Sequence, residues 1–64
     1  MWIHIKTAPN KPTAEMWCEL LEGEGIPTRM EPDQAEAHLG EIARQWIYVP
    51  EDRVEVAEEI LRTV

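Results

Sequence analysis

Apolar residues in this chain switch between a period of two and a period near four, and each switch marks an element. Trp2 to Thr7 alternates, with Ile3, Ile5 and Thr7 on one face and Trp2, His4 and Lys6 on the other, which is the pattern of a strand. The breaker cluster Ala8-Pro9-Asn10-Lys11-Pro12 follows. Asn10 or Thr13 is placed to cap a helix, and Pro12 sits where a missing N–H costs nothing. From Thr13 to Glu24, Ala14, Trp17, Cys18 and Leu21 recur at helical spacing, widened by Leu20, with Glu15, Glu19 and Glu22 off the stripe. Gly25 is the stop, because glycine takes the left-handed conformation without steric cost.

Alternation then resumes. Ile26, Thr28 and Met30 share a face opposite Pro27, Arg29 and Glu31, and Pro27 marks this run as an edge strand. Pro32 ends it. Asp33 to Gly40 predicts a short helical turn, with Asp33 and Glu36 at capping-box spacing and Gly40 as its stop. A third strand runs from Ile42 to Val49. Ala43, Gln45, Ile47 and Val49 form one face and Ile42, Arg44, Trp46 and Tyr48 the other. Large apolar groups on both faces make this strand central. Pro50 stops it. Glu51 and Asp52 suit the positive end of a last helix, and Arg62 suits its far end. Asp52 with Glu55 repeats the capping-box spacing, and Val54, Ala57, Ile60 and Leu61 form the apolar stripe, with Val64 at its end.

The order β-α-β-β-α predicts one α+β domain over residues 1–64. Its three-stranded, mainly antiparallel sheet has the order 1-3-2. A right-handed crossover puts both helices on one sheet face. Ile3, Ile5, Ile26, Met30, Ala43, Ile47 and Val49 would meet Ala14, Trp17, Leu21, Val54, Ala57, Ile60 and Leu61 there.

Composition narrows the function. Sixty-four residues bury only about 60% of the surface the unfolded chain exposes, so a lone monomer is marginal. A single cysteine, Cys18, excludes an intramolecular disulfide, and it is far in sequence from His4 and His38, with no metal-finger spacing. The net charge of −7 repels nucleic acid and anionic membrane. The chain shows no secretory signal pattern and no apolar run of about 20 residues. A free Cys18 suits a reducing cytoplasm, which is the expected location.

Two segments carry a resemblance. One is A-E-M-W-C-E-L-L-E-G-E-G-I-P, with Ala14, Leu21, Gly25 and Ile26; the other is Val49-Pro50-Glu51-Asp52 followed by Ala57, Ile60 and Leu61. Together they resemble the small bacterial family of putative prokaryotic signal transducing proteins, a domain of unknown function, over nearly the whole chain. The resemblance implies half or more of a ferredoxin-like or ACT-like unit. Through likeness to nitrogen-regulatory PII-type folds it also implies a signalling role. It brings no catalytic residues.

A sheet with both helices on one face leaves the other face uncovered. Trp2, His4, Lys6, Arg44, Trp46 and Tyr48 fall there and are the candidate partner-binding residues; an exposed apolar patch of this kind marks an interaction site. A ferredoxin-like fold would cover the outer side of the first strand with a fourth strand, which is lacking here. That edge is therefore open to a second copy or to a strand from another protein. No base and orienting group accompany Cys18, and no Gly-rich phosphate loop is present. The expected function is a non-enzymatic interaction or regulatory module with no cofactor. It would act as a homodimer or with a protein partner, through the first-strand edge or the open aromatic face. The alternative is a small-molecule sensor, ACT-like or PII-like, with its ligand at a dimer interface.

Overall fold

The structure, a computed structural model, describes residues 1–64. Strand β1 (Trp2–Ala8) leads to helix α1 (Lys11–Gly23) and strand β2 (Arg29–Pro32). A 3-10 segment (Gln34–Ile42) joins β2 to strand β3 (Gln45–Pro50), and a 3-10 turn (Glu51–Arg53) opens into helix α2 (Val54–Leu61). The sheet order is β1-β3-β2, with β3 antiparallel to both neighbours. Both helices pack on one face, where Leu21, Leu61, Ile47 and Val49 are fully buried. Burying each such side chain contributes about 1.5–3 kcal/mol.

Local chemistry sets the element ends. The Asn10 side chain accepts from the Thr13 N–H at 2.9 Å and starts α1. At the other end Gly25 adopts φ +82°. Its N–H donates to the Glu22 carbonyl at 2.9 Å, and the Ile26 N–H donates to the Leu21 carbonyl at 3.0 Å. This is a Schellman closure, with Ile26 and Leu21 as its hydrophobic pair. It explains why the second strand is shorter than expected: Ile26 is buried, but its N–H is spent on capping α1 and pairing begins only at Arg29. Leu20 stands 41% exposed and is not part of the buried stripe, and Val64 is also exposed. The start of the third strand shifts too. Ala43 N–H bonds to the Gly40 carbonyl and Arg44 N–H to Glu36, so Ile42 ends the 3-10 segment, exposed.

One departure reverses a face. The register runs His4 with Tyr48, then Lys6 with Ile47, Thr7 with Trp46 and Ala8 with Gln45. Ile5 is the extra residue of a β-bulge. A bulge sets two residues against one and breaks strict alternation. Beyond it Lys6 joins Ile47 on the helix side and Thr7 joins Trp46 on the open side, the reverse of what alternation from Trp2 predicts. Lys6 Nζ accordingly lies 5.1 Å from the centre of the Trp17 ring on α1.

Candidate functional site

The open face is built by alternate residues of three strands. Trp2 and His4 come from β1 before the bulge and Thr7 from after it; Arg29 and Glu31 come from β2, and Trp46 and Tyr48 from β3. The His4 ring stacks on Trp46 with centroids 4.4 Å apart and planes at 24°. It also meets Tyr48 at 5.8 Å, tilted by 55°. Because the bulge turns Thr7 outward, its Oγ1 shares a 2.9 Å hydrogen bond with His4 Nε2. The imidazole is thus fixed between a hydroxyl and an indole. Trp2 and Trp46 remain 42% and 38% exposed, although both rings belong to ordered strands.

The 3-10 segment braces one end of this face. Asp33 Oδ1 accepts from the Ala35 N–H at 2.9 Å, and Oδ2 accepts from the Trp46 indole N–H at 3.2 Å. Glu36 does not return to Asp33 as a capping box would. Its Oε1 accepts the Arg44 backbone N–H at 2.9 Å, while Oε2 accepts from Arg44 Nε at 2.9 Å and from a terminal guanidinium nitrogen at 2.6 Å. The Arg44 side-chain and backbone hydrogen bonds hold the Glu36 carboxyl below its ordinary pKa, and Glu36 in turn raises that of Arg44. Asp33 and Glu36 therefore position Trp46 and Arg44 respectively.

Of the six residues predicted from the sequence, Trp2, His4, Trp46 and Tyr48 come together on the open face. Arg44 lies beside them but is tied to Glu36. Lys6 is on the opposite side of the sheet. It lines, with Ile5, Glu58, Leu61 and Arg62, a groove of about 330 Å³ between β1 and α2. Sequence reasoning missed Thr7, because nothing in W-I-H-I-K-T signals a bulge. It read Asp33 and Glu36 as helix starters, and no local pattern reports their longer-range bonds to Trp46 and Arg44.

Two hollows flank Tyr48. One, about 370 Å³, lies between the end of β2, the start of the 3-10 segment and β3, and is lined by Glu31, Asp33, Trp46 and Tyr48 among others. The other, about 150 Å³, is lined by Trp2, Arg29, Glu31 and Tyr48. No three His, Cys, Asp or Glu side chains converge in a way that could hold a metal ion. Cys18 is buried on α1; burial pushes its thiol pKa up, the neighbouring Thr28 acts to lower it, and Glu22 and Glu15 add to the rise. No helix is long and apolar enough to cross a membrane.

The family model described as putative prokaryotic signal transducing protein matches residues 2–64, the whole of the sheet and both helices. The chain belongs to that family. No curated protein and no solved structure matches it. Membership in this family agrees with the resemblance carried by the α1–Gly25 and Val49–Asp52 segments. In this chain Trp2 and Trp46 of the open sheet face are exposed and the one cysteine is buried.

Proposed function

We propose that this member of the signal-transducing family is a non-enzymatic interaction module that associates with a second copy of itself through the open sheet face. The observation that carries the proposal is the contact of the His4 ring with Trp46 and Tyr48, with the exposed Trp2 across a small hollow from Tyr48, on a sheet face that no helix covers. Apolar rings held rigidly in water favour an interface, since little side-chain freedom is left to lose on binding.

Charge favours a second copy as the occupant. The acidic surplus is concentrated on the helices, in Glu15, Glu19 and Glu22 of α1 and Glu55, Glu58 and Glu59 of α2. On the sheet side the Arg29 and Arg44 charges are already met by Glu31 at 3.2 Å and Glu36 at 2.6 Å. Two copies repel through their helices and meet with the least repulsion through their sheets. The outer edge of β1 is the weaker candidate. A bulge at Ile5 interrupts it, and bulges and lysines on edge strands act against strand pairing.

Size sets the strength. Three strands spaced about 4.8 Å apart and about 20 Å long give a flat area of about 300 Å². A standard stable interface buries about 800 Å² per partner. Association through this face is therefore weak and reversible, which suits a signalling contact. Sedimentation across the micromolar range tests it. The expected result is a monomer–dimer equilibrium weakened about tenfold or more by Trp46→Ala and unchanged by Met16→Ala, on the exposed side of α1. A monomer at every concentration rules out self-association.

The hollow beside Trp46 supports a second reading, a small-molecule sensor with its ligand on this same face.

A further inference from the structure

We propose that the hollow between the end of β2 and β3 binds an organic cation, a guanidinium or methylated ammonium group, against the rings of Trp46 and Tyr48. Its chemistry is specific. Two aromatic side chains and two carboxylates, Glu31 and Asp33, line about 370 Å³ together with Pro32, and no basic side chain lines it. By contrast, the groove under α2 mixes Lys6 and Arg62 with Glu58, and the smaller hollow beside Trp2 already contains Arg29. Two carboxylates repel an anion, and a purely apolar ligand would strip them of water without replacing it. A cation on an aromatic ring satisfies both halves of the lining.

The charge at the hollow is unevenly spent. Glu31 is paired with Arg29 at 3.2 Å. Asp33 accepts two hydrogen bonds, from the Ala35 N–H and the Trp46 indole, and both donors are neutral. The Arg44 guanidinium, which senses Asp33, is held by Glu36 at 2.6 Å. The Asp33 charge is thus left facing a site with no cation in direct contact. The indole beside it is already immobilised, stacked by His4 and anchored through its N–H to Asp33. Ordering the ring therefore adds no cost on binding. The volume, near the lower end for ligand pockets, fits one compact group rather than a nucleotide or a cofactor.

Such a cation is supplied either by a free small molecule or by the arginine or lysine side chain of a partner protein; the recognition chemistry is the same. The proposal stands whether or not the sheet face self-associates. The titration is therefore run on chain of known mass, at a concentration where sedimentation shows monomer, so that a failed dimer and an empty hollow are told apart.

The test follows the three indole N–H signals of the ¹⁵N-labelled chain during addition of tetramethylammonium chloride, of blocked arginine, and of blocked citrulline, its neutral analogue. The Trp46 signal is expected to move and saturate in the millimolar range with both cations, while the buried-side Trp17 signal stays still. Citrulline should bind at least about fivefold more weakly than arginine. Asp33→Asn removes the charge and keeps one acceptor, for the Ala35 N–H, but not the one that holds the indole; it should weaken cation binding by a similar factor while the chain stays folded by circular dichroism. Tyr48→Leu, which removes a ring but not a charge, should weaken it too. A peptide with a central arginine that binds about tenfold more tightly than blocked arginine assigns the cation to a protein partner, and equal affinities assign it to a small molecule. No saturation, equal response to citrulline, or movement of Trp2 or Trp17 in place of Trp46 overturns the proposal.

Discussion

Lys6 stands across the sheet from Ile47, on the side of the helices, with its ammonium 5.1 Å from the centre of the Trp17 ring. The bulge at Ile5 divides β1 into two parts. Before it, alternate residues supply the aromatic face; after it, the same alternation supplies the core, ending in the fully buried Ala8. The lysine stem covers apolar surface beside Leu61 while its charge stays near water.

Lys6→Ala is therefore a stability mutation and not a binding one. The lost cation–π contact is worth about 0.5–1 kcal/mol at an exposed site, with a smaller loss from stem packing. Urea denaturation should show about 1 kcal/mol of destabilisation. Sedimentation of the folded variant should match that of the parent chain. A selective loss of association with unchanged stability would mean that Lys6 reaches the open face after all.

The Glu36–Arg44 contact gives a pH-dependent term. The folded-state pKa of Glu36 is lowered, chiefly by the side-chain hydrogen bond from Arg44 and then by its backbone N–H. The stability it contributes is thus fully present above the unfolded value, near 4.5, and is lost as pH falls through the lower folded value. Glu36→Gln should be less stable than the parent chain at pH 7, and the gap should narrow as pH falls below about 4.5. Denaturant curves at the two pH values check the sign. The Arg44 amide should also exchange faster with solvent in Glu36→Ala, which removes its acceptor, Glu36 Oε1.

Adjacent leucines on α1 separate packing from mere hydrophobicity. Leu21 is fully buried and Leu20 is 41% exposed. Leu21→Ala should cost about 2–5 kcal/mol. A domain of this size has a total stability of about 3–10 kcal/mol, so the variant should be largely unfolded at moderate temperature by circular dichroism. Leu20→Ala should stay within about 0.5 kcal/mol of the parent. Equal melting temperatures for the two variants would contradict the packing described for α1.

Much of this was legible from residue order, and the exceptions share a physical cause. The periods of Ile3, Ala14, Leu21, Ile47 and Leu61 give the elements, the 1-3-2 sheet and the covered face, because burial imposes those periods. Asn10 and Gly25 are readable caps, since their roles depend on their own short side chains. What was not legible depends on a partner distant in sequence. Ile26 looks like strand until its N–H is found closing α1. Glu36 looks like a capping residue until Arg44, eight positions on, takes both its oxygens. Lys6 and Thr7 exchange faces through one extra residue that leaves no compositional trace. For the candidate site, aromatic spacing located Trp2, His4, Trp46 and Tyr48, whereas the bracing carboxylate of Asp33 required the fold.

Gly40 carries the last prediction. It interrupts the 3-10 segment with φ +65° and ψ −126°, a combination that L residues avoid. A Cβ built there meets nothing within 4 Å, so the penalty for Gly40→Ala is conformational and not steric crowding against neighbours. It should amount to about 1–3 kcal/mol. The loss should fall first on the bonds the kink permits, from Ala43 N–H to the Gly40 carbonyl and from Arg44 to Glu36. The mirror-image residue reverses the argument. A D-residue at these angles occupies the equivalent of the extended region open to every L-residue. In a chemically synthesised chain, Gly40→D-Ala should therefore equal or exceed the parent in stability, by up to about 1 kcal/mol, because it narrows only the unfolded ensemble. Thermal melts of the three chains decide the matter. The order L-alanine, glycine, D-alanine from least to most stable supports the kink. Equal loss from both alanines would show that the penalty lies in contacts of the methyl group instead of in the backbone.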